Sequence, residues 1–405
     1  NEFGTIPHVE IVGVPTNILP GRAYMFQRVS FMLLNTNTMR LIRKSYRGYR
    51  DRLFTRLIIQ TISSVFGRHN YIQRLFRNIN FYFSGKNILD QYFEMYAPVL
   101  VFSTDVKHIF DTQFLIEAKK RGVQTVGMVR SWDYLTAKGV VRVLPDELIV
   151  HNHIIKEEAK RLMQMSEENI HITGMPHFDT YFSGKRSDRN IFLQKVGIDA
   201  EKRVILLTPV GDKFGNTDAQ IFDILCEAIR DKELPSDVEI LVRVPPGDTV
   251  SLENFKACKE IHIDYPGTEF NTYSRKANEM SYRDLLHLAD SLYHSELVIS
   301  SPSTMVIDGA AFDKPLILLG FEGREHKDYF DSFVHIYDYD HMQHVIKTGG
   351  TRMAKSPDEL IDAINHYLNY PEEGENERKK IVDEQCVYTD GKSGERIARV
   401  LLSFV

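Results

Sequence analysis

Tryptophan is almost absent from this 405-residue chain, which has Trp132 alone, and cysteine is nearly as scarce, with Cys226, Cys258 and Cys386. Three cysteines without metal-like or redox-like spacing predict neither a disulfide framework nor a zinc site, and they fit a reducing compartment. No apolar run reaches the roughly 18 residues of a membrane helix. The amino-terminal region lacks a basic-then-apolar leader, so secretion is not expected either. There is no fixed-period repeat and no low-complexity tract. These absences point to a cytoplasmic protein.

What is present is the balance of a folded globular protein, with 43% apolar and 26% charged residues. A chain of this length exceeds what one core usually supports, so two domains of roughly 200 residues each are expected. The net charge of −5 hides an asymmetry. Ten basic residues (Arg40, Arg43, Lys44, Arg47, Arg50, Arg52, Arg56, Arg68, Arg74 and Arg77) face Asp51 alone between Arg40 and Arg77. The segment reads as one helix with Ile42, Tyr46, Tyr49, Leu53 and Leu57 on a single face. It could lie peripherally on an anionic membrane at the inner face of the plasma membrane, grip a lipid-linked acceptor, or simply turn its stripe to the core. The acidic remainder argues against nucleic acid as a partner.

Both halves alternate strand and helix. In the first, 98–103, 123–129, 147–150 and 170–173 read as strands, separated by helices at 110–121 and 153–165. Residues 183–201 are polar and turn-rich and are expected to link the domains. In the second half, 204–207, 238–244, 260–263, 297–299 and 316–319 read as strands, with helices at 219–229, 282–289 and 304–312. The expected fold is therefore α/β, two Rossmann-like domains with parallel sheets facing across a cleft. The first domain is expected to span 1–182, with room for a first strand outside this sequence; the second is expected over 202–385, and a carboxy-terminal helix over 386–405. Parallel sheets place ligands at the carboxyl ends of their strands.

At one such end stand Ser300, Ser301, Pro302, Ser303 and Thr304, followed at once by a helix rich in small residues. Hydroxyls and free amides at a helix start suit a donor phosphate, although an ordinary Ser/Thr cap has the same look. Asp308 lies one turn beyond Thr304 and is expected to face the same cleft. Strand, Ser-Pro-Ser-Thr, the run Asp308-Gly309-Ala310-Ala311 and then Lys314-Pro315-Leu316-Ile317 resemble the donor-binding region of GT-B glycosyltransferases. Those include bacterial surface-polysaccharide transferases and CDP-glycerol glycerophosphotransferase-like proteins.

Upstream, Ser131 to Gly139 (SWDYLTAKG) is similar to the segment SWDNLTSKG of capsule and lipopolysaccharide-type transferases. It occupies the loop where glycerophosphotransferases carry a His-Gly-Thr-Pro motif with an acceptor-activating His; this chain offers Asp133. The layout from Leu144 to Asp179 is similar to the same families. The resemblance implies a nucleotide-activated donor as substrate, no separate cofactor, no metal, and a glycan or lipid-linked acceptor in surface polysaccharide synthesis. The transferred group is expected to be a sugar, with polyol phosphate transfer and nucleotide-sugar 2-epimerisation as alternatives. The Ser-Gly-Gly and paired glutamates of the epimerases are missing, with Ser301-Pro302-Ser303 and Asp308 in their place.

On the acceptor side, Asp133 is the candidate general base, Trp132 could stack on a sugar or pack between domains, and Lys138 and His177 are further wall residues. On the donor side, Thr208 follows the first strand of the second domain. Arg243 ends another, where related families have a His-Pro pair that is missing here; its charge could meet a diphosphate or a surface carboxylate. Asp338 and Asp340 look superficially like a metal-binding pair but fall, with His335, His341 and His344, in what reads as a surface loop.

Overall fold

The computed structural model of the chain describes residues 6–12, 19–45, 53–67, 69–84, 89–252, 255, 258–269 and 278–405. Among these residues five helices come first: α1 (Gly21–Leu33), α2 (Asn37–Ser45), α3 (Leu53–Phe66), α4 (Asn70–Phe83) and α5 (Asp90–Tyr96). The basic stretch is thus spread over α2, α3 and α4 rather than forming one helix. Arg47, Arg50, Arg52, Arg68, Tyr46 and Tyr49, and the side chains of Arg56, Leu53 and Leu57, lie outside the described residues. Two of its arginines serve the interior. Arg43 is buried and donates to the Leu34 carbonyl (2.8 Å) and Ser63 Oγ (2.7 Å), while buried Arg77 donates to the carbonyls of Val141 (3.0 Å) and Leu162 (3.2 Å).

The first sheet follows: β1 (Leu100–Ser103), α6 (Ile109–Lys120), β2 (Gln124–Met128), α7 (Tyr134–Ala137), β3 (Glu147–Val150), α8 (His153–Glu158) and β4 (Ile170–Ile172), with strands in sequence order and all parallel. Asn152 caps α8 by accepting from the Ile155 amide at 2.9 Å. Next come α9 (Pro176–Phe182) and α10 (Arg189–Val196). The expected linker therefore holds a helix. Asp188 caps its start, Gly197 at φ 78° ends it, and Phe192 and Leu193 bury into the second core.

The second sheet has the order β12-β11-β10-β5-β6-β7 and is parallel throughout. Its elements are β5 (Arg203–Thr208), α11 (Asp218–Arg230), β6 (Val238–Arg243), β7 (Ile261–Asp264), a small antiparallel pair β8 (Thr268–Glu269) and β9 (Asn278–Glu279), α12 (Tyr282–His294), β10 (Ser295–Ser300), α13 (Met305–Ala311), β11 (Leu316–Leu319), α14 (Asp340–Ile346) and β12 (Arg352–Ala354). Helices cover both faces, so Val204–Leu207 of β5, Leu297–Ile299 of β10 and Leu316–Leu319 of β11 are continuous apolar runs with essentially no exposure. Each buried Leu or Ile there stabilises the fold by about 1.5–3 kcal/mol. Gly309 lets α13 lie against this sheet, since a Cβ would sit 2.5 Å from Leu316 Cδ2.

Three more helices close the chain, α15 (Pro357–Asn369), α16 (Glu375–Gln385) and α17 (Ser393–Leu402). The expected single helix over 386–405 is confined to 393–402. Its Ile397 packs with Val126 and Ile149, so the carboxy terminus returns to cover the first sheet. Two further expectations are corrected. Cys226 and Cys258 form a disulfide across 32 residues, a pairing that sequence spacing cannot reveal. The His-rich stretch is no surface loop: residues 333–338 form a 3₁₀ turn running into α14, and His335 and His341 are buried.

Candidate active site

The loops leaving the carboxyl ends of both sheets meet one another. Trp132, after β2, packs against both large apolar clusters and sets its ring edge-on to His341 of α14, with centroids 4.8 Å apart. Of the two expected roles for Trp132, packing between the halves is the one seen. Thr38 at the start of α2 and Asp340 at the start of α14 are reciprocal caps. Asp340 Oδ2 accepts from the Thr38 amide (2.9 Å) and hydroxyl (2.8 Å), and its own amide donates to Thr38 Oγ1 (2.8 Å). Asp340 is thus committed to this junction.

Asp133 starts α7 in the same region, with Lys138 Nζ 3.4 Å from its Oδ2. Burial pushes its pKa up, but Lys138, His341 and a Ser131 hydrogen bond outweigh that and hold the carboxyl below its usual range. It is ionised at neutral pH, as a proton acceptor must be. Around it lie two groups that sequence reading passed over, Lys107 and Glu158, and one, His341, that it assigned to a surface loop. Lys107, in the loop after β1, is buried, donates to the Tyr134 carbonyl at 2.5 Å, and is pushed down to about 7 by desolvation. Glu158, at the end of α8, is buried with Oε2 unpartnered, and desolvation raises it to about 7. His341, also buried, has Nδ1 unpartnered and is lowered by desolvation to about 4. Only the position of Lys107 just past a strand end could have marked it; Glu158 is one charge among many on its helix. Glu158, Asn37, His153, Arg161, Asp340 and Lys347 line a cavity of about 980 Å³ between α2, α8 and α14.

The donor-side residues are packed differently. Ser300 and Thr208 are buried at adjacent strand ends, their hydroxyl oxygens 3.1 Å apart. Ser300 Oγ also donates to the Ser301 carbonyl (2.8 Å), and Ser301 Oγ donates to the Pro209 carbonyl (3.2 Å). Ser303 is half-buried and accepts from the Met305 amide at 3.3 Å, and Thr304 is exposed. Ser303 Oγ also lies 3.1 Å from Ser300 Oγ, so three of the four hydroxyls are engaged within the protein, and half-buried Ser303 and exposed Thr304 form the rim. Asp308 is buried and accepts from Tyr181 Oη (2.9 Å), with His177 Nε2 at 3.3 Å. This brings two predicted residues, one from each side, together. Burial would lower the His177 pKa, but Asp308 outweighs it and holds the imidazole above its ordinary value. Arg243 is buried in an ion pair with Asp264, which also contacts His287 Nε2 at 3.1 Å. Its charge is engaged with Asp264 inside the second half, away from the surface.

Residues 129–403 match the sequence model of the CDP-Glycerol:Poly(glycerophosphate) glycerophosphotransferase family. The chain belongs to that family. The glycerophosphotransferase match takes in Asp133, the Ser300–Asp308 region and the returning α17 alike. A curated relative, a UDP-N,N'-diacetylbacillosamine 2-epimerase (hydrolyzing) of Legionella pneumophila, is 25% identical over 259 residues, which is 62% of this chain. The match spans 57% of that relative's length. Among solved structures, a UDP-GlcNAc 2-epimerase of Methanocaldococcus jannaschii in complex with UDP-GlcNAc and UDP aligns with TM-score 0.49 and 19% identity over 78% of each chain. A glycosyltransferase of Rickettsia africae aligns with TM-score 0.42 and 11% identity over 96% of this chain and 97% of its own. A wall teichoic acid polymerase with CDPG aligns with TM-score 0.41 and 12% identity over 82% of this chain and 97% of its own.

Proposed function

We propose that this glycerophosphotransferase-family chain transfers a group from a nucleotide-activated donor to an acceptor hydroxyl in the synthesis of a cell-surface polymer. The observation that carries the reading is Asp133, an ionised and largely buried carboxylate at the junction of the two halves, whose charge is felt by Glu158 in the wall of a large cavity. In this mechanism Asp133 takes the acceptor's hydroxyl proton as the oxygen attacks. The donor's phosphates lie against Ser303 and Thr304 where α13 begins. Lys138 keeps Asp133 ionised between turnovers, and His177 with Asp308 fixes the halves at the donor rim. Trp132 shapes the acceptor wall.

Two transferred groups fit, each with its own support. Family membership favours a polyol phosphate: the acceptor oxygen attacks the phosphorus that carries the polyol, the pyrophosphate P–O bond breaks, and a nucleoside monophosphate departs. Asp133 in the loop that resembles sugar transferases favours a sugar: attack falls on the anomeric carbon and a nucleoside diphosphate departs. The acceptor in either case is a glycan or a lipid-linked chain.

The leaving nucleotide decides between them. Purified protein is incubated with CDP-glycerol, or with UDP-, GDP- and CDP-sugars, with and without a glycan or lipid-linked acceptor, and the released nucleotide is resolved by chromatography. Acceptor-dependent CMP from CDP-glycerol establishes polyol phosphate transfer, and an acceptor-dependent diphosphate establishes sugar transfer. Acceptor-independent release of UDP together with a C2-epimerised sugar would replace both by the hydrolysing epimerase activity of the L. pneumophila relative. No turnover of any donor would overturn the reading.

A further inference from the structure

The junction cavity of about 980 Å³ holds a buried group that proton removal and donor binding leave unused. Glu158 stands in its wall at the end of α8, is 5% exposed, and keeps Oε2 without a partner. The other carboxylates of the lining are engaged: Asp340 accepts from Thr38, Asp338 from Tyr329, and Glu157 from Lys160 at 2.9 Å. A buried carboxyl oxygen with no partner is costly, and a ligand that bonds it removes the cost.

The chemistry of the wall says what kind of ligand that is. Burial, with the carboxylates of Asp340 and Asp133, pushes Glu158 up to about 7 against the pull of Arg161 and Lys107. In its protonated form a carboxyl both donates and accepts, the same two capacities as a hydroxyl. Asn37 and Gln343 donate their amide N–H groups to the carbonyls of Asp338 and Tyr337, both at 2.9 Å. Among the described residues neither amide oxygen has a partner, so both are left to accept. Tyr329, 41% exposed, adds an aromatic ring to the wall.

Charge does not single out an anion. Carboxyl groups outnumber cations in the lining by four (Glu157, Glu158, Asp338, Asp340) to two (Arg161, Lys347), and both cations are exposed to water. A carboxyl, two amide oxygens and an aromatic ring suit an uncharged guest rich in hydroxyls. Glu158 also lies close enough to Asp133 for the Asp133 charge to raise its pKa, so one small guest can meet both.

We propose that this cavity takes the terminal sugar or polyol of the acceptor, and that Glu158 bonds the hydroxyl next to the one Asp133 deprotonates. Glu158 is then the residue that selects which hydroxyl reacts, and the acceptor must present two adjacent hydroxyls. This rests on Asp133 as the base, but its test does not. Trp132, the chain's one tryptophan, lies edge-on to His341 of α14, the helix that supplies Asp340, Gln343, His344 and Lys347 to the cavity, so its fluorescence is the readout.

The full chain is titrated, without donor, with glycerol and with the methyl glycosides of glucose, galactose, mannose and N-acetylglucosamine. Expected are saturable binding of at least one probe, about a tenfold loss when one hydroxyl of its diol is replaced by hydrogen, and a similar loss in Glu158→Ala. Glu158→Gln, which keeps a donor and an acceptor, should restore most of the binding. Gln343→Ala should weaken it too and, being half-buried, keeps the test valid if Glu158→Ala misfolds. Binding of no probe, or affinity unchanged in Glu158→Ala, would overturn the subsite; a deoxy probe as tight as its parent would overturn the diol. Transfer with an acceptor KM unaltered in Glu158→Ala would sink this proposal alone, whereas a probe that binds through Glu158 while no donor turns over would sink the transfer reading alone.

Discussion

The two sides of the junction handle their polar groups in opposite ways. On the donor side, Ser300, Ser301, Thr208, Asp308 and Arg243 are buried, and each has a partner inside the protein. On the acceptor side, the polar groups are buried without complete partners. Among the described residues, the buried side-chain atoms lacking a hydrogen bond belong to Arg77, Glu117, His151, Glu158 and His341. Four of these lie in the first half, and the fifth, His341, touches Trp132 of that half. Leaving such groups unpaired costs about 1–3 kcal/mol each, and two of them stand at the junction: Glu158 in the cavity wall and His341 against Trp132.

This contrast can be broken most directly at Asp133. Asp133→Asn keeps the shape and removes the base, so the transfer rate should fall by about 10²–10⁴-fold while nucleotide affinity measured by calorimetry stays at the wild-type value. A wild-type rate would place proton removal elsewhere. Next in size is Asp308→Asn, which leaves Tyr181 and His177 without their acceptor. Denaturant unfolding should show a loss of about 1–3 kcal/mol, and the His177 pKa, followed by NMR, should drop. An unchanged His177 titration would contradict the pairing.

Ser303→Ala with Thr304→Ala changes the rim and removes the Ser303 contacts to Ser300 and the Met305 amide. Nucleotide affinity should weaken about tenfold, roughly one charge-assisted hydrogen bond, with a smaller loss of stability than in Ser300→Ala. Ser300→Ala should do the reverse, lowering stability more than affinity.

The smallest effects are in pH dependence. Glu158 is near 7 folded and near 4.5 unfolded, so the unfolded state sheds its proton first and stability falls as pH rises from about 4.5 to 7. Lys107 is near 7 folded and near 10.5 unfolded, so the unfolded state holds its proton longer and stability rises from about pH 7 to 10.5. Denaturant curves at pH 5, 7 and 9 should show the first slope flattened in Glu158→Gln and the second in Lys107→Met. The charges facing them, Asp133, Asp340, Arg161, Asp105 and Lys138, are retained in both variants. Unaltered slopes would mean that these groups titrate as they do in water.

Much of the donor side could be read in advance, because its signals are local. The strand at 316–319 falls where the apolar run after Lys-Pro places it. The Ser300–Asp308 cluster is contiguous in sequence, and the structure keeps it at one strand end. Features built from distant segments left no such trace. The Cys226–Cys258 bond, the return of α17 to the first sheet and the Thr38–Asp340 caps depend on which elements become neighbours. The single-helix reading of the basic stretch failed because a helical stripe sets no limit on where helices break. The acceptor cluster was hardest of all. Lys107 and Glu158 look like ordinary surface charges until burial removes their water.

The account's central claim is that donor and base meet across one junction, and the measurement that reaches it most directly is a structure with the nucleotide-activated donor bound. The account predicts donor phosphates within hydrogen-bond distance of Ser303 and Thr304 at the start of α13, with the transferable group turned toward the Asp133 carboxylate. A donor seated away from Ser303, or turned from Asp133, would contradict it.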